Sequence, residues 1–286
     1  MKRLAAFSIL LFISPVGLLT AAEEGSFEKV LSVSGPVDLD VKTDSGGISV
    51  THGSSGSLRI HAILRADHGW FGSGDSGVEA RIRELERNPP VQQNGNHVRV
   101  GYVTDRGLLK GISMRLEIET PASTQLHAQA DSGGIRVEGL QGPVDCKTDS
   151  GGIEINDVSA TVHAAADSGG IHARNIRGSF FAHVDSGGIE AIGMAGSIEA
   201  TTDSGAVTLA QTTPAPINAK TDSGGVKVTL AHGAGYDISA DNESGHISIP
   251  EMTVHSGFSS HHMEGKVGGG GPLVKIQVES GSIRVD

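Results

Sequence analysis

The tetrapeptide Asp-Ser-Gly-Gly recurs along this chain at a nearly fixed step, and that period limits the folds that the chain can adopt. Its copies begin at Asp44, Asp131, Asp149, Asp167, Asp185 and Asp222, with a near copy, Asp-Ser-Gly-Ala, at Asp203. From Asp131 to Asp203 each copy follows the last by 18 residues. Two degenerate copies, "ESGHISI" and "ESGSIRV", begin at Glu243 and Glu279. A repeat of this kind is typical of a chain that coils and returns above itself.

Each repeat contains two alternating apolar patterns. Apolar residues lie two apart after the tetrapeptide, as in Ile153 and Ile155, and again before the next Asp, as in Val162, Ala164 and Ala166. Such alternation predicts a strand with one buried face. Equivalent strands of successive coils would lie about 4.8 Å apart in parallel sheets. The sequence therefore predicts an all-β fold, a parallel β-solenoid of ~18-residue, two-strand coils.

We call the Asp-Ser-Gly that opens each copy the corner motif, and we predict a structural turn for it. Its residues are Asp44, Ser45, Gly46, Asp131, Ser132, Gly133, Asp149, Ser150, Gly151, Asp167, Ser168, Gly169, Asp185, Ser186, Gly187, Asp203, Ser204, Gly205, Asp222, Ser223 and Gly224. The residue after the motif varies, being Ala206 or His246 in two copies, so only the first Gly is expected to need a left-handed backbone. The Asp is expected to accept hydrogen bonds from the following amides in an Asx-type turn, and the Ser hydroxyl to satisfy another corner amide.

The same letters also form the nucleophile loop of trypsin-like proteases. A nucleophilic Ser150 would need one general base and one oxyanion hole, and a ladder of equivalent serines supplies neither. We therefore predict that the chain is not an enzyme of this kind.

The columns of the repeat also predict how the core is filled. Small residues occupy one inward column, at Cys146, Ala164, Ala182 and Ala200. Leu140, Val158, Ile176 and Met194 are expected to fill a corner. The only Cys of the chain is therefore interpreted as a small buried hydrophobe rather than a reactive thiol.

Four segments are predicted along the chain. Residues 1–22 have a basic start, an apolar run and a small-residue end, which is the layout of a secretory signal peptide. Residues 23–57 form the first solenoid coil, residues 58–120 an insertion, and residues 121–286 the repeat solenoid with degenerate C-terminal coils. No later segment reads as a membrane span, so no stable membrane insertion is expected after signal cleavage.

The insertion is predicted to be a small strand-helix-strand segment. "SLRIHAILRA", "NHVRVGYV" and "SMRLEIETP" read as strands, and "QNGN" at 93–96 as a hairpin turn. Asp75 and Ser76 are candidates to cap a helix with Val78, Ile82 and Leu85 on one face, ended by Asn88-Pro89-Pro90. Trp70 and Phe71 lie in "WFGSGDSG", which is either a ligand-contacting tip or a cover over the open end of the solenoid.

Charge and cysteine usage exclude some classes of partner. The formal net charge is −11 and no basic cluster is present, which argues against nucleic acid or an anionic membrane surface. A single Cys excludes a disulfide framework within one chain. An envelope protein or a glycan fits this composition better.

Three sets of side chains are candidates to bind a cation. The corner carboxylates of Asp131, Asp149, Asp167 and Asp185 would recur every ~4.8 Å, where Ca²⁺ could bridge neighbours unless each serves its own turn. No other cofactor is expected. His127, Asp145 and His163 form a column that could present three ligands to zinc, or a polar strand face. His255, His261 and His262 lie near "VGGGGP", as a metal site or a surface loop.

A further outward column alternates basic and acidic residues. It runs through Arg136, Glu154, His172 and Glu190. We interpret it as a surface pairing ladder that fixes the register of successive coils.

The order of these elements resembles the bacterial putative-adhesin family, also called toastrack, of uncharacterised exported envelope proteins. The resemblance rests on the early strand and helix-bearing insertion, then "NGNHVRV", "RLEIETPASTQLHAQADSGGIRVEGL" and the repeated "SGGI" turns. It implies an all-β stack outside the cytoplasmic membrane and a binding role, and it carries over no catalytic residues.

The leading hypothesis is a non-catalytic, exported binding or scaffold module of the bacterial envelope, periplasmic or secreted. A long acidic face or the insertion tip would contact a glycan or another protein, with weak contacts repeated along a rigid ladder. One alternative is a calcium-dependent carbohydrate-active β-helix enzyme. Another is a periplasmic sensor that partners a membrane signalling protein.

Overall fold

The computed structural model describes residues 24–67, 77–250, 252–256, 259 and 261–286, with the backbone alone at 254–256. The predicted signal peptide, the helix cap at Asp75 and Ser76, and the predicted contacts Trp70 and Phe71 lie outside these residues. The N-terminal part contains β1 (Glu24–Ser32), β2 (Asp38–Ser45), β3 (Ile48–His52), β4 (Ser57–Ala66), α1 (Val78–Arg87), β5 (Val91–Asn94), β6 (His97–Val100), a 3-10 helix (Arg106–Leu109) and β7 (Ile112–Thr120).

The repeats follow as pairs of short strands on either side of each corner motif. They are β8 (Gln125–Ser132), β9 (Ile135–Glu138), β10 (Val144–Ser150), β11 (Ile153–Asn156), β12 (Val162–Ser168), β13 (Ile171–Arg174), β14 (Phe180–Ser186), β15 (Ile189–Met194), β16 (Ile198–Ser204), β17 (Val207–Gln211), β18 (Ile217–Ser223) and β19 (Val226–Thr229). The C-terminal part contains β20 (Tyr236–Ser248), β21 (Met252–Ser256), β22 (His262–Val267) and β23 (Leu273–Val285).

Strands of successive coils pair in parallel and in register. Cys146 lies opposite Ala128 on one side and Ala164 on the other, and Ile153 lies opposite Ile135 and Ile171. We call the strands before the corners sheet A and the strands after them sheet B. Strands β20 and β23 run through both, so that the described strands join as one 23-stranded sheet. The predicted parallel β-solenoid is therefore confirmed.

The stacking order departs from the chain order at both ends. The first coil, β2 and β3, lies between β8 and β9 of the repeats and β6 and β7 of the insertion. At the other end β23 lies between the β18–β19 coil and β20. The last strand in the chain is therefore an inner strand of the stack, paired along both of its edges.

The core is a single column of inward side chains from both sheets. The predicted small column is buried at Cys146, Ala164, Ala182 and Ala200. The predicted corner residues Leu140, Val158, Ile176 and Met194 are also buried. Both predictions are confirmed, and the alternation along each strand leaves the intervening side chains on the outer faces.

The two ends of the stack are closed by antiparallel strands. At the N-terminal end β4 pairs with β1 and β7, and β5 forms a hairpin with β6 at the predicted turn. Helix α1 buries Val78, Ile82 and Leu85 as predicted, and it ends at Arg87 with Asn88 as its C-cap. At the other end β22 pairs with β20 and β21. These elements cover sheet edges that would otherwise be free to pair with other chains.

Strands β6 and β7 of the insertion are hydrogen-bonded to the first coil and form further layers of the same stack. No break in the sheet of described strands therefore marks where the insertion begins or ends, and its boundaries stay a prediction. Within the described residues, no helix has the length and apolar character needed to cross a membrane.

Candidate binding surfaces

The corner motif places its first Gly in a backbone conformation that favours glycine. Gly151 has φ +147° and Gly169 has φ +133°, and the first Gly of every other copy also has a positive φ. The second glycines, such as Gly152, do not. The prediction that only the first position requires Gly is confirmed.

The hydrogen bonds of the corners run between coils. The amide of Gly151 donates to the carbonyl of Ser168 at 2.9 Å. The Thr before the Asp also joins two coils, since Thr148 Oγ1 donates to the carbonyl of Gly133 at 3.0 Å. Among the described residues, no corner Asp or Ser side chain bonds a corner amide. The predicted Asx-type turn is wrong, because the neighbouring coil already satisfies these amides.

The corner carboxylates form a row at the surface. Two have a cationic neighbour: Asp131 has Lys42 at 3.7 Å, and Asp222 has Lys220 at 3.2 Å. The carboxylate of Asp185 lies 3.1 Å from Nε2 of His183. The side chains of Asp149 and Asp167 are exposed and make no hydrogen bond or ion pair with any described residue. Calcium binding by Asp131, Asp149, Asp167 and Asp185 stays a prediction.

The predicted zinc column is not brought together around one point. His127 Nδ1 lies 3.6 Å from Asp145 Oδ2. The ring of His163 instead stacks on Phe181, with ring centroids 4.6 Å apart and planes 4° from parallel. No three His, Cys, Asp or Glu side chains in the described part of the chain are grouped so as to hold a metal ion.

Of the three C-terminal histidines, His255 and His262 lie on strands, whereas His261 lies in a bend just before β22, so the surface loop, one of the two alternatives, does not hold for His255 and His262. His262 belongs to β22, and its Nδ1 lies 2.5 Å from Asp241 Oδ1. His261 Nδ1 lies 3.1 Å from the carbonyl oxygen of Asn242. The side chain of His255, on β21, is outside the described residues.

The alternating charges of sheet B pair as predicted. Arg136 Nη2 lies 2.5 Å from Glu154 Oε2, and His172 Nδ1 lies 3.7 Å from Glu190 Oε2. These residues are direct neighbours in the parallel register. The predicted pairing of neighbours is therefore confirmed for these two pairs, and their role in fixing the register stays a prediction.

The same row of outward residues continues into the N-terminal end of the stack, where strand β3 carries short side chains between strands that carry long ones. Glu117 on β7, Ser49 on β3 and Arg136 on β9 are register partners. Ser49 and Thr51 are short, so a trough with a volume of 840 Å³ lies over β3. We call this depression the trough. The polar residues of its floor and walls include Ser49, Thr51, Arg115, Glu117, Glu119 and Arg136.

The side chains that flank the floor of the trough have polar partners on the strands away from that floor. Glu117 Oε2 lies 3.3 Å from His61 Nδ1 on β4, and Arg136 reaches Glu154 on β11. Both walls therefore lean outward and leave the floor at Ser49 open. Glu119 has no ion pair with a described residue, and the trough offers both donors and acceptors.

Column alignment of the sequence could have located one half of the trough. Ser49 follows "DSGGI" in the first copy as Arg136 and Glu154 do in later copies, so it belongs to the same column. Glu117 lies in the insertion, outside the repeat, and no spacing signal places it beside Ser49. Phe181 was also missed, although it lies one 18-residue step beyond His163.

Cys146 is buried and free, as predicted. Burial raises the pKa of its thiol well above the usual range, and the neighbouring charge of Asp145 raises it further. The thiol is therefore neutral in the folded protein at physiological pH.

The fold and these surfaces define the protein as an open parallel β-solenoid with covered ends and polar outer faces. Residues 182–286 match the model of the family described as Toastrack DUF4097. This match confirms the resemblance predicted from the sequence.

Two solved structures match over most of the length of this chain, at low sequence identity and with low TM-scores. One is a putative cell adhesion protein from Clostridium sporogenes, at 9% identity and a TM-score of 0.28, covering 91% of this chain and 99% of that chain. The other is a putative adhesin from Bacteroides fragilis, at 14% identity and a TM-score of 0.47, covering 92% and 97%. No curated protein matches the chain.

Proposed function

We propose that this protein is a non-catalytic, exported, adhesin-like module of the bacterial envelope, and that it holds an extended polar ligand in the trough. The observation that carries the proposal is the trough itself, an open depression with a volume of 840 Å³ on the outer face of sheet B. The family match to a toastrack domain is consistent with a β-solenoid module of this kind.

The trough has the shape of a binding groove for a chain. Its floor is at Ser49 and Thr51 on β3, and its lining reaches from Arg59 and His61 on β4 to Glu154 on β11, so it crosses several strands that lie about 4.8 Å apart. Its floor is built on β3, which is hydrogen-bonded to a strand on each side. A groove on paired strands is held more rigidly than one on loops, which reduces the ordering cost of binding.

The chemistry of the trough selects a polar ligand with both donors and acceptors. Arg59, Arg115 and Arg136 line it together with Glu28, Glu117, Glu119 and Glu154. Mixed charges give register and specificity more than raw affinity. An envelope glycan or an extended segment of an envelope protein meets these requirements, and the overall charge of −11 disfavours polyanions.

The trough can be filled without touching the core. Neighbouring strands already carry long side chains at the register of Ser49, namely Glu117 and Arg136. A double variant, Ser49→Gln with Thr51→Gln, should therefore fold normally while occupying the floor. Thr208→Gln is the matched control, because Thr208 lies in the same outward row on β17, away from the trough.

The test measures how fluorescently labelled protein binds to washed cells of its own bacterium, by flow cytometry. We expect the wild type and Thr208→Gln to bind equally, and the filled variant to bind about tenfold more weakly. Absence of wild-type binding, or equal binding by the filled variant at an unchanged melting temperature, would contradict the proposal.

A further inference from the structure

Phe181 is out of place on the outer face of sheet A. Its neighbours along the row are His163 on β12 and Glu199 on β16, and the row continues to Asn218 and Lys275. The other named members of this row are polar or charged, yet the Phe181 ring is only half-buried. An aromatic ring on a solvated strand face contributes little to a core that is filled from the other side of the sheet.

Only one face of the Phe181 ring is covered. His163 stacks against the face that points toward β12, at 4.6 Å between centroids. Strand β14 lies between β12 and β16, so the second face is turned toward β16. The stack fixes the orientation of the ring and presents that face to a depression on the surface.

That depression combines apolar walls with polar side chains that have no bonding partner among the described residues. It has a volume of 310 Å³, and Phe181, Pro216 and Leu273 form its apolar part. Glu199, Asn218 and Lys275 surround it. These three side chains are exposed and make no hydrogen bond or ion pair with any other described residue.

We infer that this depression, the Phe181 site, is a binding site for one neutral pyranose unit of a glycan. A pyranose has C–H groups on its faces and hydroxyls around its rim. Its C–H face suits the negative face of a fixed aromatic ring. Its hydroxyls can donate to Glu199 and accept from Lys275, and Asn218 can do both.

Charge argues for a neutral sugar rather than an acidic one. The nearest charges on this face are mixed, with Asp145 and Glu199 near Phe181 and Lys275 on β23. The net charge of −11 repels uronic or phosphorylated glycans. A neutral sugar is not repelled by the net negative charge, and its hydroxyls can bond to both the negative Glu199 and the positive Lys275. A few convergent polar groups around an apolar surface are the usual composition of a small-ligand site.

The Phe181 site lies on the outer face of sheet A, whereas the trough lies on that of sheet B. Glycan binding here does not depend on the trough, and either site can fail without the other. The Ser49→Gln, Thr51→Gln variant is therefore a control that should keep the Phe181 site intact.

The test is an NMR titration of the purified protein with neutral disaccharides and tetrasaccharides of glucose, galactose, mannose and N-acetylglucosamine. We expect at least one of these to shift the ring signals of Phe181 and His163, with saturation transfer to the sugar C–H protons. Phe181→Ala should weaken that binding at least about tenfold, and Phe181→Trp should retain it. The trough variant should bind as the wild type does.

Each contrary result is decisive when the melting temperatures of the variants match the wild type. If no sugar of the panel moves the Phe181 or His163 signals, the inference is wrong. It is equally wrong if Phe181→Ala binds as well as the wild type, or if Phe181→Trp loses binding together with Phe181→Ala.

Discussion

Gly151 approaches the carbonyl group of Gly133, one coil away, so closely that a Cβ atom on Gly151 would lie 2.2 Å from the carbonyl oxygen. The same approach recurs between Gly169 and Gly151 at 2.1 Å and between Gly187 and Gly169 at 2.1 Å. Because the backbone also has a positive φ at each position, two independent constraints require glycine there. This stacking keeps the corners of adjacent coils in register, and it recurs where the sequence step is not 18 residues, as between Gly224 and Gly205.

Alanine substitutions at adjacent glycines should therefore differ sharply. We expect Gly151→Ala to lower the free energy of unfolding by about 1–3 kcal/mol from backbone strain alone, with the clash in addition. Gly152→Ala should change it by less than about 1 kcal/mol, because its Cβ would lie 3.4 Å from the carbonyl oxygen of Gly170. Ala206 already occupies this second position in one copy. Urea unfolding followed by circular dichroism measures both, and equal effects would contradict the argument.

The repeat made the fold predictable, but not the order of its layers. Alternation and the 18-residue step predicted both strands of each coil, their inward residues and the ion-paired ladder at Arg136 and Glu154. The copies at Glu243 and Glu279 carry the same pattern, so spacing alone does not say which of them follows the coil of Asp222. Long-range pairing decides this, and it places β23 next to β18 and β19.

The candidate sites were harder to predict because they depend on neighbours that the repeat does not encode. Phe181 belongs to the column of His163, yet the stacking that orients its ring is visible only in three dimensions. The trough needs Ser49 from the repeat and Glu117 from the insertion. The Asx-type turn was predicted from the local sequence alone. In the structure the corner amide of Gly151 instead donates to the carbonyl of Ser168 in the next coil.

Cys146 should behave as a buried neutral thiol. We expect no reaction with a thiol reagent at pH 8 in the native state and full reaction after unfolding, because the side chain is buried. A thiol that reacts in the native protein at the rate of a free cysteine would contradict the assignment.

The same thiol makes stability depend on alkaline pH. Its folded pKa is raised, so the folded protein keeps a proton that the unfolded chain releases above about pH 8.5. The stabilisation is fully present below that pH and is lost as the pH rises, with a slope of up to about 1.4 kcal/mol per pH unit. Cys146→Ala should lack this component, which comparison of urea midpoints from pH 7 to pH 10 would show. Parallel pH dependence of the two proteins would contradict it.

The unpaired corner carboxylates should repel one another. Asp149 and Asp167 occupy equivalent positions of adjacent coils, and neither has a partner among the described residues. Like charges at such positions destabilise a sheet by about 0.2–1 kcal/mol. We expect Asp149→Asn to raise the free energy of unfolding by that amount at low ionic strength, and to have no effect at about 1 M salt.

Asp222→Asn is the matched control for this prediction. Its carboxylate lies 3.2 Å from Lys220 Nζ, so its removal should not stabilise the protein. Repeating the melts with Ca²⁺ and with a chelator tests the predicted calcium ladder at the same time. A calcium-specific rise in melting temperature that Asp149→Asn abolishes would contradict this prediction. It would mean that these carboxylates bind and bridge Ca²⁺ rather than repel one another.

The inner position of the last strand makes β23 critical for stability, although it ends the sequence. Ile276 is 0% exposed, between Ala219 on β18 and Ala240 on β20, whereas Leu273 at the start of the same strand is 49% exposed. We expect Ile276→Ala to cost about 2–5 kcal/mol and Leu273→Ala to stay within about 0.5 kcal/mol. Thermal and urea unfolding measure both. A small loss for Ile276→Ala would mean that the C-terminal strand is a detachable edge, in conflict with its pairing along both sides.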